Sequence, residues 1–97
     1  MPHILTILEA RVVPDKWEML KRTYEAVDKN GLPSSVLSSY LTQQEKDPEV
    51  WYIVTIWESR QALDSYRKSV ETPVWISVFR AVEGEPILTI SEVQALK

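Results

Sequence analysis

The side chains with the means to do chemistry in this chain are mostly aromatic. Trp57, Tyr66, Tyr24, Trp75 and Phe79 could wall a cavity, and Arg60, Tyr40 or Tyr66 could aim N–H or O–H donors into it. Aromatic walls with a few donors are what a site needs to bind an electron-rich ring, stabilise its anion and keep water away. A plain hydrophobic core would use some of the same residues. Trp17, Tyr24 and Phe79 fall at helical spacing, where aromatics usually pack inward. Trp57 and Tyr66 each carry a polar atom that a dry core would have to satisfy. Trp51 and Tyr52 suit packing or contact between copies, and Arg60 is placed to pair with Asp64 four residues on, across a helix face.

Other chemistries find little footing. With no cysteine among the 97 residues, disulfides, thiolate metal sites and cysteine nucleophiles are excluded. The lone histidine, His3, sits near a chain end, and no histidine or carboxylate cluster is spaced for a metal. Ser34, Ser35, Ser38 and Ser39 lack the glycine elbow of a serine nucleophile. Two glycines, Gly31 and Gly84, do not make a phosphate loop. A net charge of −3 gives no basic footprint, so neither nucleic acid nor an anionic membrane is an expected partner. The apolar run near the N-terminus is broken by Thr6, Glu9 and Arg11, and no span approaches the roughly 20 apolar residues that cross a bilayer. The expected location is cytoplasmic.

The elements that must position these side chains follow from periodicity. Val50–Glu58 alternates Val50, Tyr52, Val54 and Ile56 on one face with Trp51, Ile53, Thr55 and Trp57 on the other, and neither face is polar. Such a strand belongs in the middle of a sheet, covered on both sides. Ser59 then caps a helix whose stripe is Ala62, Leu63, Tyr66 and Val70. Ile4–Val12 reads as a first strand, also apolar on both sides in its first half. Pro14 stops it, and Asp15 with Glu18 forms a capping-box pattern ahead of a helix striped by Trp17, Leu20, Tyr24 and Val27. Asn30-Gly31 ends that helix. Val36–Gln43, with its serines, reads as an edge strand, joined by the turn Gln44–Glu49 to the central one. Thr72-Pro73 starts a third helix, with Val74, Trp75, Val78, Phe79 and Val82 inward and Gly84 as its end. Ile87–Val93 is the last strand.

The order β-α-β-β-α(α)-β in a chain of this length is that of a single α+β domain over residues 1–97, a ferredoxin-like split βαβ fold with a four-stranded antiparallel sheet and helices on one face. The helices cover only one side of the two central strands. A second copy of the sheet is the simplest cover for the other, so a two-fold homodimer through the sheet face is expected.

The chain resembles the antibiotic biosynthesis monooxygenase-like family of dimeric α+β barrels. The resemblance runs through VVPDKW after the first strand and IVTIWESRQALDSYRKS, with Trp57-Glu58-Ser59-Arg60-Gln61-Ala62-Leu63 its sharpest part. Pro14-Asp15 stands where family members commonly have Pro-Gly. The resemblance implies a pocket position for Trp57. It also implies oxygenation of a small aromatic, phenolic or quinol compound without metal, flavin or haem. Haem-degrading relatives would need an axial histidine on the later helices, and Ser69 to Arg80 contains none. The expected pocket is Trp57, Tyr66, Tyr24, Arg60, Trp75 and Phe79, with a small aromatic ligand and no cofactor. A non-catalytic small-molecule-binding or assembly module is the competing class, and an isomerase or lyase on the same scaffold a third.

Overall fold

Strand β1, Ile4–Arg11, and strand β3, Val50–Trp57, lie side by side in the middle of a four-stranded sheet. The computed structural model describes residues 2–97. Strand β2, Val36–Gln43, flanks β3, and strand β4, Ile87–Glu92, flanks β1, giving the order β2-β3-β1-β4 with every pairing antiparallel. Helices α1 (Trp17–Glu25), α2 (Arg60–Ser69) and α3 (Val74–Arg80) complete the fold. This is a ferredoxin-like α+β architecture, and the two strands that are apolar on both faces are the central pair of its sheet.

The helices back one face of the sheet. Leu8, Ala10 and Val12 from the first strand segment and Trp51 and Ile53 from β3 pack with Leu20, Trp75, Val78, Phe79 and Val82. A smaller cluster joins Ile4 and Trp57 to Leu63 of α2. On the opposite face, Leu5, Ile7, Tyr52, Val54 and Ile56 are only half-buried, and Tyr40 of β2 is 56% exposed. That second face has an apolar centre, and among the described residues the helices all lie on the other side of the sheet.

Local chemistry accounts for the boundaries, with three departures from the expected caps. Ser59 does cap α2, its hydroxyl accepting the Ala62 N–H at 3.1 Å. The Asp15–Glu18 capping box does not form. Pro14–Lys16 is instead a 3₁₀ turn running straight into α1, and the backbone carbonyls of Val13 and Pro14 take the Lys16 and Trp17 N–H groups. Glu18 meets Lys21 at 3.1 Å. Thr72 does not cap α3 either; the first amide of that helix, at Val74, donates to the Tyr66 hydroxyl at 3.0 Å. At the end of α3 the left-handed residue is Glu83, φ 65°, and not the glycine after it.

Gly84 is needed for space. Its N–H closes the helix end on the Phe79 carbonyl at 2.9 Å, and a Cβ there would lie 3.2 Å from that same oxygen and 3.3 Å from the Ala10 Cβ. Neither neighbour is the free end of a flexible chain, so the backbone would have to shift. Gly84→Ala is expected to cost about 1–3 kcal/mol, the usual range for overpacking, read as a lowered urea midpoint with an unchanged slope. An unaltered midpoint would show that α3 and β1 can part without penalty.

The β2–β3 turn is held from outside by Arg11, whose guanidinium reaches both carboxylate oxygens of Asp47, at 2.8 and 3.3 Å. The hydrogen bond from Arg11 is the largest influence holding the Asp47 carboxyl below its usual range. Both groups are solvent-exposed, so this pairing fixes geometry more than it stabilises the fold.

Candidate functional site

Two hollows lie between the helices and the sheet, and Trp75 is the one side chain that lines both. The larger, about 560 Å³, is a cleft between the end of α1, the loop through Leu32 and Ser34, and the first half of β2. Tyr24 and Trp75 form one wall as a stacked pair, with ring centres 4.7 Å apart and planes 22° from parallel. The Tyr24 hydroxyl donates to Ser39 Oγ at 2.9 Å, which places two hydroxyls on the cleft wall. The volume falls in the ordinary range for small-molecule sites.

The smaller hollow, about 40 Å³, is lined by Trp57, Tyr66, Leu63 and Thr6 among others. That is far below the roughly 300–1,000 Å³ of ordinary small-molecule sites. It is narrow because its aromatics are tied down. Trp57 Nε1 donates to Thr6 Oγ1 at 3.1 Å, the Trp57 and Tyr66 rings meet at 5.4 Å, and the Tyr66 hydroxyl is engaged by the start of α3. The polar atoms that made Trp57 and Tyr66 candidates for a site therefore have partners inside the fold.

The six expected pocket residues are accordingly divided. Tyr24 and Trp75 stand on the large cleft, and Trp57 and Tyr66 on the small hollow, which Trp75 also lines. Phe79 is fully buried in the core, at 0% exposure, and is not among the residues lining either space. Arg60 is exposed on α2, where its Nε holds Asp64 Oδ1 at 3.1 Å, and it edges a separate surface hollow beside Ile90 and Glu92. Tyr40, considered as a donor, pairs in register with Val54 and so lies on the uncovered sheet face, away from both hollows. The helix pairing of Arg60 with Asp64 is as expected from spacing.

The sequence reading missed Ser39, Thr6 and the loop around Leu32–Ser34. Ser39 carried a signal: its register partner Thr55 faces the helices, which puts a polar residue of an edge strand on the inward side. The loop carried none, because its place beside the cleft depends on where α1 ends relative to β2. Among the described residues no group of three or more histidine, aspartate or glutamate side chains is arranged to hold a metal ion. Nor is any of their helices long and apolar enough to cross a membrane.

Solved structures with this geometry are numerous. A conserved protein from Methanosarcina mazei Go1 superposes with a TM-score of 0.72 at 14% identity, covering 94% of this chain and 92% of its own. Two candidate antibiotic biosynthesis monooxygenases are similarly close. The one from Deinococcus radiodurans has a TM-score of 0.73 at 11% identity over 97% of this chain and 95% of that one. The one from Caulobacter crescentus CB15 has a TM-score of 0.70 at 17% identity over 99% and 92%. At these identities the likeness speaks for the fold. No curated protein matches the sequence. The family model for antibiotic biosynthesis monooxygenases matches residues 7–83, a span that takes in β1 from Ile7 on, β2, β3, all three helices and both hollows' aromatic walls. The chain belongs to the antibiotic biosynthesis monooxygenase family.

Proposed function

We propose that the protein is a cofactor-independent monooxygenase that oxidises a small aromatic, phenolic or quinol compound in the cleft beside Tyr24 and Trp75. The observation that carries this reading is the cleft itself: about 560 Å³ of space against a stacked aromatic pair, with the Tyr24 and Ser39 hydroxyls on its wall. Stacked rings provide a flat apolar surface for a planar substrate, and the Ser39 hydroxyl, which accepts from Tyr24, keeps its own proton to donate to an oxyanion. Once deprotonated, an electron-rich ring can pass electrons to dioxygen directly. In a hydroxyanthrone the ring CH₂ opposite the carbonyl becomes C=O, one atom of dioxygen entering the product and the other leaving as water with the two hydrogens. The substrate supplies all four electrons, so no external reductant is consumed.

Oxygen uptake tests this. With a panel of hydroxyanthrones and quinols, the wild type is expected to consume one dioxygen per substrate, and Trp75→Ala is expected to lose at least about tenfold in kcat/KM, as removal of a substrate-positioning wall does. Absence of uptake across the panel would remove the oxygenase reading.

The second reading is a small-molecule-binding or assembly module without catalysis. It is favoured by one observation, the near closure of the hollow at Trp57, whose indole N–H is already satisfied by Thr6. Binding of the panel compounds without oxygen consumption would select it. On either reading the working unit is a homodimer joined through the uncovered sheet face. Leu5, Ile7, Val54 and Ile56 are the apolar centre of that face, and Tyr40 and Ile87 lie towards its edges. An apolar face of this extent is uncommon on a lone soluble subunit.

A further inference from the structure

Four consecutive residues of β2, Val36, Leu37, Ser38 and Ser39, line the large cleft. A regular strand turns successive side chains to opposite faces and would offer the cleft only every second one. Val36 and Ser39 show where the rule breaks. Their register partners, Trp57 and Thr55, both belong to the buried, helix-facing side of β3, although an unbroken β2 would turn two residues three positions apart to opposite sides. The residue that restores the match is Leu37, which has no register partner on β3.

The sheet has no need of Leu37. Without it, Val36 and Ser38 would meet Trp57 and Ile56 as ordinary neighbours, whereas an extra residue is left unpaired and disturbs the ladder around it. What Leu37 does supply is an apolar side chain on the cleft wall. Its place there is defined. The Tyr24 hydroxyl meets Ser39 Oγ, so the stacked Tyr24–Trp75 wall reaches β2 at Ser39, and Leu37 stands two residues back along the strand, roughly 6–7 Å away at an extended rise. A single ring with its oxygen at Ser39 would stop short of Leu37, and a second fused ring would come within its reach.

We infer that Leu37 is a specificity-determining residue of the cleft, gripping the ring fused beyond the one held at Ser39 and so favouring fused-ring phenols over single-ring ones. The inference rests on the reading that the cleft holds an aromatic ligand. Leu37 already lines the cleft, so the contact leaves the Tyr24–Trp75 stack as it stands.

The test compares 2-naphthol with phenol, titrated into the full chain and followed through the indole N–H resonances. Leu37→Ala is expected to weaken 2-naphthol about fivefold, the worth of a partly buried leucine contact, and to change phenol less than about twofold. Leu37 is half-exposed, so its truncation leaves the core untouched. Leu37→Met, which keeps an apolar side chain of similar volume, is expected to bind both compounds as the wild type does. An unaltered 2-naphthol affinity in Leu37→Ala, or a loss shared equally by the two compounds, overturns the role of Leu37 while leaving the cleft reading intact. A wild type that binds neither compound overturns the cleft reading, and the role of Leu37 with it.

Discussion

Val54→Asp is expected to leave each chain folded and to abolish self-association. Val54 sits mid-sheet on the uncovered face, between Ile7 of β1 and Tyr40 of β2 in register, and points away from both core clusters. An aspartate there is solvated in a lone subunit and costs the fold little. In a pair of sheets packed face to face, two-fold symmetry buries the new carboxylate twice. Each would be taken out of water without a partner, at several kcal/mol. At 1.4 kcal/mol per decade, a combined penalty of about 4 kcal/mol already weakens association about a thousandfold. Sedimentation should therefore give a dimer for the wild type and a monomer of unchanged circular dichroism for the variant. A wild type that sediments as one subunit at micromolar concentration would end the face-to-face proposal outright.

The largest loss of stability is expected from Phe79→Ala. Phe79 has no exposed surface and shares its cluster with Leu8, Ala10, Leu20, Val78 and Val82. Truncating a fully buried phenylalanine removes its transfer free energy and leaves a cavity, together about 3–5 kcal/mol. For a domain whose whole stability is on the order of 5–15 kcal/mol, that is a large share. Urea denaturation measures it, and a loss below about 1.5 kcal/mol would show that the site collapses readily around the gap. The same variant separates two roles for the residue. Because Phe79 lines neither hollow, aromatic binding at temperatures where the variant stays folded should be close to that of the wild type.

The layout of the sheet was legible because burial on two sides leaves a mark in sequence. Trp51, Ile53 and Trp57 alternate with Tyr52, Val54 and Ile56, and no register of an edge strand would tolerate that pattern in water. Ser59 was legible for a similar reason, since a cap and its helix lie within three residues of one another. What escaped were interactions between residues far apart in the chain. Tyr66 serving the first amide of α3, Trp57 bound to Thr6 and Tyr24 bound to Ser39 all depend on how elements dock, and no local spacing announces them. The candidate site suffered most from this. Aromatic type and spacing identified Tyr24, Trp57, Tyr66 and Trp75, but the division of their space by Trp75 arises only once α3 settles on the sheet. Gly84 makes the same point on a smaller scale: read as a helix end, it turns out to be fixed by the approach of Ala10 from another element.

The register of β2 against β3 shifts between Val36 and Ser38, leaving Leu37 as an extra residue, 49% exposed, on the open edge of the sheet. A straight, apolar rim with free amides invites another chain to add itself as a further ribbon. The irregularity at Leu37 bends that rim and throws its donors and acceptors out of step, so an incoming segment could match only one side of it at a time. Copies that gather are thereby steered towards stacking their broad surfaces and away from sideways polymerisation. Fibrillar growth seeded from the native state should be slow, even for a small protein that leaves so much grease on view.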